Sequence, residues 1–245
     1  MTKKILFAVL ALIIIFGAAF IIWSSTPLKP MLEALAALQS DADVQVTSDG
    51  LTVFTPLGKQ PSAGLIFYPG GRVDYRAYSP YLHSLASQGY LVVLVPMPLN
   101  LAVFAPDKAG AVIREFPQVK TWAVGGHSLG GAMAAHYAAQ HPDQVQGLVL
   151  LAAYPAESDS LAGLATKVIS IHATQDGLAT PAKIEASRLL LPENTRFVTI
   201  QGGNHAQFGW YGLQGGDGVA TITREEQHSQ LLQATIDFMQ TLAGK

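Results

Sequence analysis

Residues 122–140 read WAVGGHSLGGAMAAHYAAQ. Trp122 to Gly125 has the apolar character of a short buried strand, and Leu129 to Gln140 is an Ala- and Gly-rich helical stretch. Between them stands Gly126-His127-Ser128-Leu129-Gly130, which matches G-x-S-x-G. In a chain with 23 glycines the pattern alone is a weak signal. The flanking strand and helix give it meaning. A serine on a sharp, strained strand-to-helix turn projects above the end of a sheet, and a β-carbon two residues to either side would clash. Ser128 is therefore the candidate nucleophile. The backbone N–H of Leu129, at the start of the helix, is the first candidate donor to a developing oxyanion.

Working outward, apolar strands alternate with helical stretches. Strands are expected at 65–68, 91–95, 145–151, 168–173 and 196–200, and helices at 78–88, 107–116 and 181–191. This order predicts an α/β fold, a mostly parallel sheet with helices on both faces. Upstream, strand candidates at 44–47 and 51–55 are joined by Ser48-Asp49-Gly50, whose Asp-Gly pair signals a hairpin. A short surface helix is expected over 31–38. The last helix opens at Thr223 with Glu226 three residues on, a capping box. About a dozen residues separate Tyr154 from the strand at Val168, too few for a large lid.

A nucleophilic serine needs a base, and the base needs an acid to orient it. Asp176 follows the strand at 168–173, and His205 follows the strand at 196–200 in Gly202-Gly203-Asn204-His205. Both stand at carboxyl ends of strands, where open α/β sheets bind ligands. Asp176 is the candidate acid, although Asp before Gly177 also suits a plain turn. His205 is the candidate base, because His127, His136, His141 and His172 all precede the last strand. Asp159 and Asp217 are the fallback acids, and Asp217 follows the histidine.

A second oxyanion donor is expected from the loop after the strand at 65–68, Pro69-Gly70-Gly71-Arg72. The N–H of Gly71 or of Arg72 fits that role. Met97, Leu99, Phe104, Phe208, Trp210 and Tyr211 either wall a pocket or fill the core. Arg72 and Arg76 are candidates to recognise a substrate carboxylate.

From about Ala63 onward the chain resembles the α/β-hydrolase superfamily, in particular its compact branch similar to dienelactone hydrolases. The resemblance rests on Tyr68-Pro69-Gly70-Gly71, Gly126-His127-Ser128-Leu129-Gly130, the Asp176 segment and Asn204-His205. Dienelactone hydrolases carry a Cys nucleophile, whereas position 128 here is Ser, which favours an ordinary ester. The resemblance implies hydrolysis of a small-molecule carboxylic ester through an acyl-enzyme, with no metal or organic cofactor. Acyl transfer, thioester or amide hydrolysis, and a tethered binding protein without turnover are the alternatives.

The 245 residues are 49% hydrophobic and 13% charged, which argues against disorder. A net charge of −2 offers no basic field for nucleic acid. The chain has no cysteine, hence no disulfide and no thiol nucleophile. Lys3 and Lys4 precede an uncharged apolar run from Ile5 to Trp23, roughly 28 Å long as a helix at ~1.5 Å per residue. Residues 1–26 are expected to be a membrane anchor or a cleaved signal segment, and 27–245 one α/β-hydrolase domain. Either reading puts the domain outside the cytoplasm, anchored to the membrane or secreted.

Overall fold

The computed structural model of the chain describes residues 2–58 and 60–244. Eight strands form one sheet: β1 (Val44–Asp49), β2 (Leu51–Pro56), β3 (Ala63–Tyr68), β4 (Leu91–Leu94), β5 (Thr121–His127), β6 (Gly147–Leu151), β7 (Lys167–Ala173) and β8 (Arg196–Ile200). Their spatial order is β1-β2-β4-β3-β5-β6-β7-β8. β2 runs antiparallel to β1 and β4, and every pairing from β4 to β8 is parallel. The expected hairpin closes at Gly50, whose φ of 72° is the left-handed conformation that glycine takes without strain.

β3, β4 and β6 are buried along their whole length, so both faces of the sheet need cover. Side chains alternate accordingly. Leu65 and Phe67 of β3 join one core with Leu82 and Leu85 of α3 (Ser79–Ala86) and Leu231 and Phe238 of α7 (Arg224–Leu242). Ile66 and Tyr68 join the other with Val112 of α4 (Lys108–Glu115) and Ala134 and Ala138 of α5 (Leu129–Gln140). The small residues of α5 let that helix lie close on β5.

The expected elements are present, with boundary shifts that have local causes. The helix anticipated at 78–88 starts as a 3₁₀ turn, Tyr75–Tyr78, and becomes α-helical only at Ser79. The stretch 181–191 is α6 (Pro181–Ala186) followed by a 3₁₀ turn, where the Ser187 hydroxyl donates to the Ile184 carbonyl. α2 (Leu32–Ala36) is the short N-terminal helix. At α7, Thr223 and Glu226 form the reciprocal capping box. Among the described residues the connection from β6 to β7 holds only the turn Glu157–Asp159, so no helical lid covers the sheet edge.

α1 (Thr2–Ser24) is apolar and its side chains are exposed along almost all of its length. Its 23 residues span roughly 34 Å at ~1.5 Å each, enough to cross a hydrocarbon core.

Candidate active site

Four parallel strands end on one edge of the sheet, and the residues just beyond them meet there. β5 leads into Ser128, β3 into Gly71, β7 toward Asp176 and β8 toward His205.

Ser128 takes φ 52° and ψ −123°, a conformation that costs a non-glycine residue about 1–3 kcal/mol. Close packing enforces it. A β-carbon on Gly126 would fall 2.6 Å from the Tyr68 carbonyl oxygen, and one on Gly130 would overlap the carbonyls of Pro69 and Tyr68. These contacts are to backbone and have no easy relief. The Ser128 N–H donates to Leu151 O (3.0 Å), which ties the turn to β6. Leu129 is the first residue of α5, so its N–H has no acceptor within the helix.

His205 Nδ1 lies 2.8 Å from Asp176 Oδ2, and both side chains are buried. The other Asp176 oxygen accepts the N–H groups of Leu178 and Ala179, each at 2.8 Å. A carboxylate so held accepts the Nδ1–H, which leaves Nε2 of His205 as the bare acceptor. Nε2 is buried and makes no hydrogen bond among the described residues, to Ser128 Oγ or any other group. His205 and Ser128 line the same cavity of about 300 Å³ with Leu129, Ala132, Ala152, Ala153, Tyr154, Leu178 and Ala179.

The fallback acids have other partners. Asp159 accepts from His136 Nδ1 at 2.9 Å. Asp217 ties the two loops of the site together. Its Oδ1 accepts the N–H groups of Gly177 (3.2 Å), His205 (3.1 Å) and Gly218 (2.8 Å), and its Oδ2 that of Ala206 (2.8 Å). From α7, Gln227 holds the same loop through both N–H and C=O of Asn204.

Of the two candidate second oxyanion donors, Arg72 is the one engaged elsewhere. Its backbone is left-handed (φ 56°), and its N–H is already given to Asn100 O at 2.8 Å. The Gly71 N–H has no acceptor among the described residues. The preceding Gly70 N–H donates to the Tyr78 hydroxyl (3.0 Å), which in turn lies 2.8 Å from His127 Nδ1. Burial, and then the neighbouring His205, hold His127 well below the usual imidazole range. A neutral His127 accepts a hydrogen bond from the phenol O–H, and its ring centroid lies 4.4 Å from that of His205. Tyr78 and His127 thus join the Gly70 loop to the back of the His205 ring. No sequence motif marks this pair, because only the fold brings 78 to 127.

The expected pocket walls and cation sites fall elsewhere. Met97, Phe208 and Tyr211 are buried, and Phe208 stacks on His127. Trp210 donates its indole N–H to His228 (3.2 Å). Leu99 and Phe104 are exposed and do not line the cavity. The Arg76 guanidinium is held by Asp74 at 2.6 and 2.9 Å, and that of Arg72 by the carbonyls of Trp23 and Thr26. The cavity walls come instead from the loops after β6 and β7, and they are almost entirely apolar.

Residues 64–229 match the family described as alpha/beta hydrolase family. Two curated relatives named pimeloyl-[acyl-carrier protein] methyl ester esterase are similar. One, from Shewanella woodyi, is 37% identical over 121 residues, covering 45% of each chain. The other, from Shewanella sp. (strain MR-7), is 34% identical over 146 residues, 56% of this chain and 50% of the relative. The chain thus spans about half the length of the curated relatives it matches. Among solved structures, Est1E from Butyrivibrio proteoclasticus with ferulic acid bound superposes with a TM-score of 0.61 at 15% identity, over 82% of this chain and 97% of that one. A CIB-like hydrolase from Thermoplasma acidophilum gives 0.58 at 17% identity, over 81% and 99%. At such identities the likeness is one of fold.

Proposed function

The chain belongs to the alpha/beta hydrolase family, and from that premise and the geometry of the cavity we propose that it hydrolyses a carboxylic ester through an acyl-enzyme. Ser128 Oγ attacks the ester carbonyl while His205 Nε2 takes its proton, and Asp176 stabilises the resulting imidazolium. The tetrahedral oxyanion accepts the N–H groups of Leu129 and Gly71. Collapse expels the alcohol, which takes the proton from His205. Water then attacks the acyl-enzyme with His205 again as base, and the acid leaves with Ser128 restored.

One observation carries the reading. Asp176 fixes Nδ1 of His205, and this histidine lines one cavity with a serine held in a strained turn. The methyl ester esterase relatives support an ester as substrate. The apolar lining suits an uncharged acyl or alkyl group and offers a substrate carboxylate no cation.

α1 serves in this reading as a membrane anchor, with Lys3 and Lys4 on the cytoplasmic side and the hydrolase domain from residue 27 onward outside. The enzymatic reading is tested by turnover of a simple aryl ester. Ser128→Ala is expected to lower it by about 10⁴–10⁶. Unchanged turnover in the purified variant removes the assignment.

A further inference from the structure

We infer that the last turn of α1 and the loop at 98–104 seat the catalytic domain in the membrane surface, so that the site takes an amphiphilic ester from the bilayer. This rests on the ester-hydrolase reading above and names its substrate class.

The end of the apolar helix is tied to the loop next to the proposed oxyanion donor. Arg72 gives its Nε–H to Trp23 O (2.8 Å) and an Nη2–H to Thr26 O (3.0 Å), and its guanidinium stacks 4.3 Å from the Trp23 ring centroid. Asn100 gives its side-chain N–H to Ser24 O (2.9 Å), and Ser24 is fully buried. The bonds to Trp23 and Ser24 satisfy carbonyls that the end of a helix leaves without partners. Leu28 N–H then donates to Arg72 O (2.7 Å). Arg72, Leu99 and Asn100 all hold left-handed φ, between 53° and 56°. Strain of that kind persists where the surroundings over-determine it, and for Arg72 and Asn100 the tether does so.

The depth of the loop follows from the helix. Trp23 is the aromatic residue at the end of the span, where indoles mark the membrane interface. Phe20 lies three residues earlier, about 4.5 Å deeper along the helix. The Phe104 ring packs edge-on against Phe20, with centroids 6.2 Å apart. Phe104 therefore lies near the level of Trp23. Beside it Leu99, Val103 and Phe104 are 37%, 45% and 51% exposed, an apolar tip continuous with an apolar helix. A lipid surface is the occupant that this continuity fits.

The same loop reaches the site. A β-carbon on Gly71 would meet side-chain atoms of both Leu129 and Leu101 within 3.5 Å. The cavity, about 300 Å³, holds only part of a long-chain ester. The rest of such a molecule stays in lipid along Leu99 to Phe104.

The chain has no cysteine, so Val103→Cys gives a single labelling site. With an environment-sensitive nitrobenzoxadiazole label and the full chain in phosphatidylcholine vesicles, spin-labelled lipid is expected to quench position 103. The same label at exposed Lys120→Cys, at the opposite end of the sheet, should not be quenched. In the same vesicles Val103→Asp is expected to lose roughly tenfold in turnover of a vesicle-borne long-chain nitrophenyl ester. It should keep soluble nitrophenyl acetate turnover within about twofold of wild type. A label at 103 that stays in water, or a Val103→Asp effect equal on both esters, overturns the proposal. Quenching at 103 with no wild-type turnover of either ester sinks the ester reading instead and leaves the seating standing.

Discussion

The Tyr78 hydroxyl stands between Gly70 and His127, 3.0 Å from the glycine N and 2.8 Å from the imidazole Nδ1. It accepts from one and donates to the other, which satisfies two buried groups and fixes the loop that carries Gly71. Tyr78→Phe leaves both groups unpaired, at a cost of about 1–3 kcal/mol. Turnover is expected to fall about tenfold with a smaller change in KM, because the loosened loop acts on the oxyanion rather than on ground-state binding. Steady-state kinetics together with a urea midpoint measure both effects.

Asp217 is a positioning residue in this account. Its carboxylate holds four backbone N–H groups, among them those of Gly177 and His205, and so sets the His205 loop against the Asp176 loop. Asp217→Ala is expected to lower kcat by about 10–100-fold. The rate of fluorophosphonate labelling should fall in parallel, since the base would no longer be held in register with Ser128. A variant that is destabilised but labels at the wild-type rate would show that Asp217 serves the fold alone.

Acid should weaken the fold. Burial comes first among the causes that hold the imidazoles of His127, His172 and His228 below their usual range, and that of His228 is brought down to about 3. The unfolded chain protonates these groups near pH ~6.5. Below that value it binds more protons than the folded chain, so stability falls as the pH falls. The loss approaches about 1.4 kcal/mol per pH unit for each histidine that stays neutral, and above pH ~6.5 the contribution is fully present. Urea midpoints of the full chain in detergent between pH 8 and 4.5 are expected to drop on the acid side. His228→Asn should make that drop shallower, and an unchanged slope would contradict the assignment.

What could be read from the sequence follows the range of the interactions involved. The sheet was legible because each buried strand is a short apolar run and each crossover a helical one. Ser128, Asp176 and His205 could be picked out as candidates because each has a local mark: two glycines that backbone crowding demands, or a position just past a strand. The structure joins Asp176 to His205 by a hydrogen bond. The pocket walls were not legible. Phe208, Trp210 and Tyr211 follow the histidine, but the 3₁₀ turn at 206–208 carries Phe208 into the core, while Ala152, Ala153 and Tyr154 line the cavity from a run without any motif. Arg72 was a candidate donor by position, and only the fold shows the left-handed turn in which its N–H goes to Asn100. Tyr78 carries no sequence signal, since its role arises from a contact 49 residues away.

Labelling with a fluorophosphonate, read as intact mass and then mapped to a peptide, asks most directly whether the hydroxyl at 128 is activated. One adduct per chain on Ser128 is expected, none after Ser128→Ala, and labelling slowed by about 10³ or more after His205→Ala. Absence of an adduct, an adduct on another residue, or an undiminished rate without the imidazole would contradict the account.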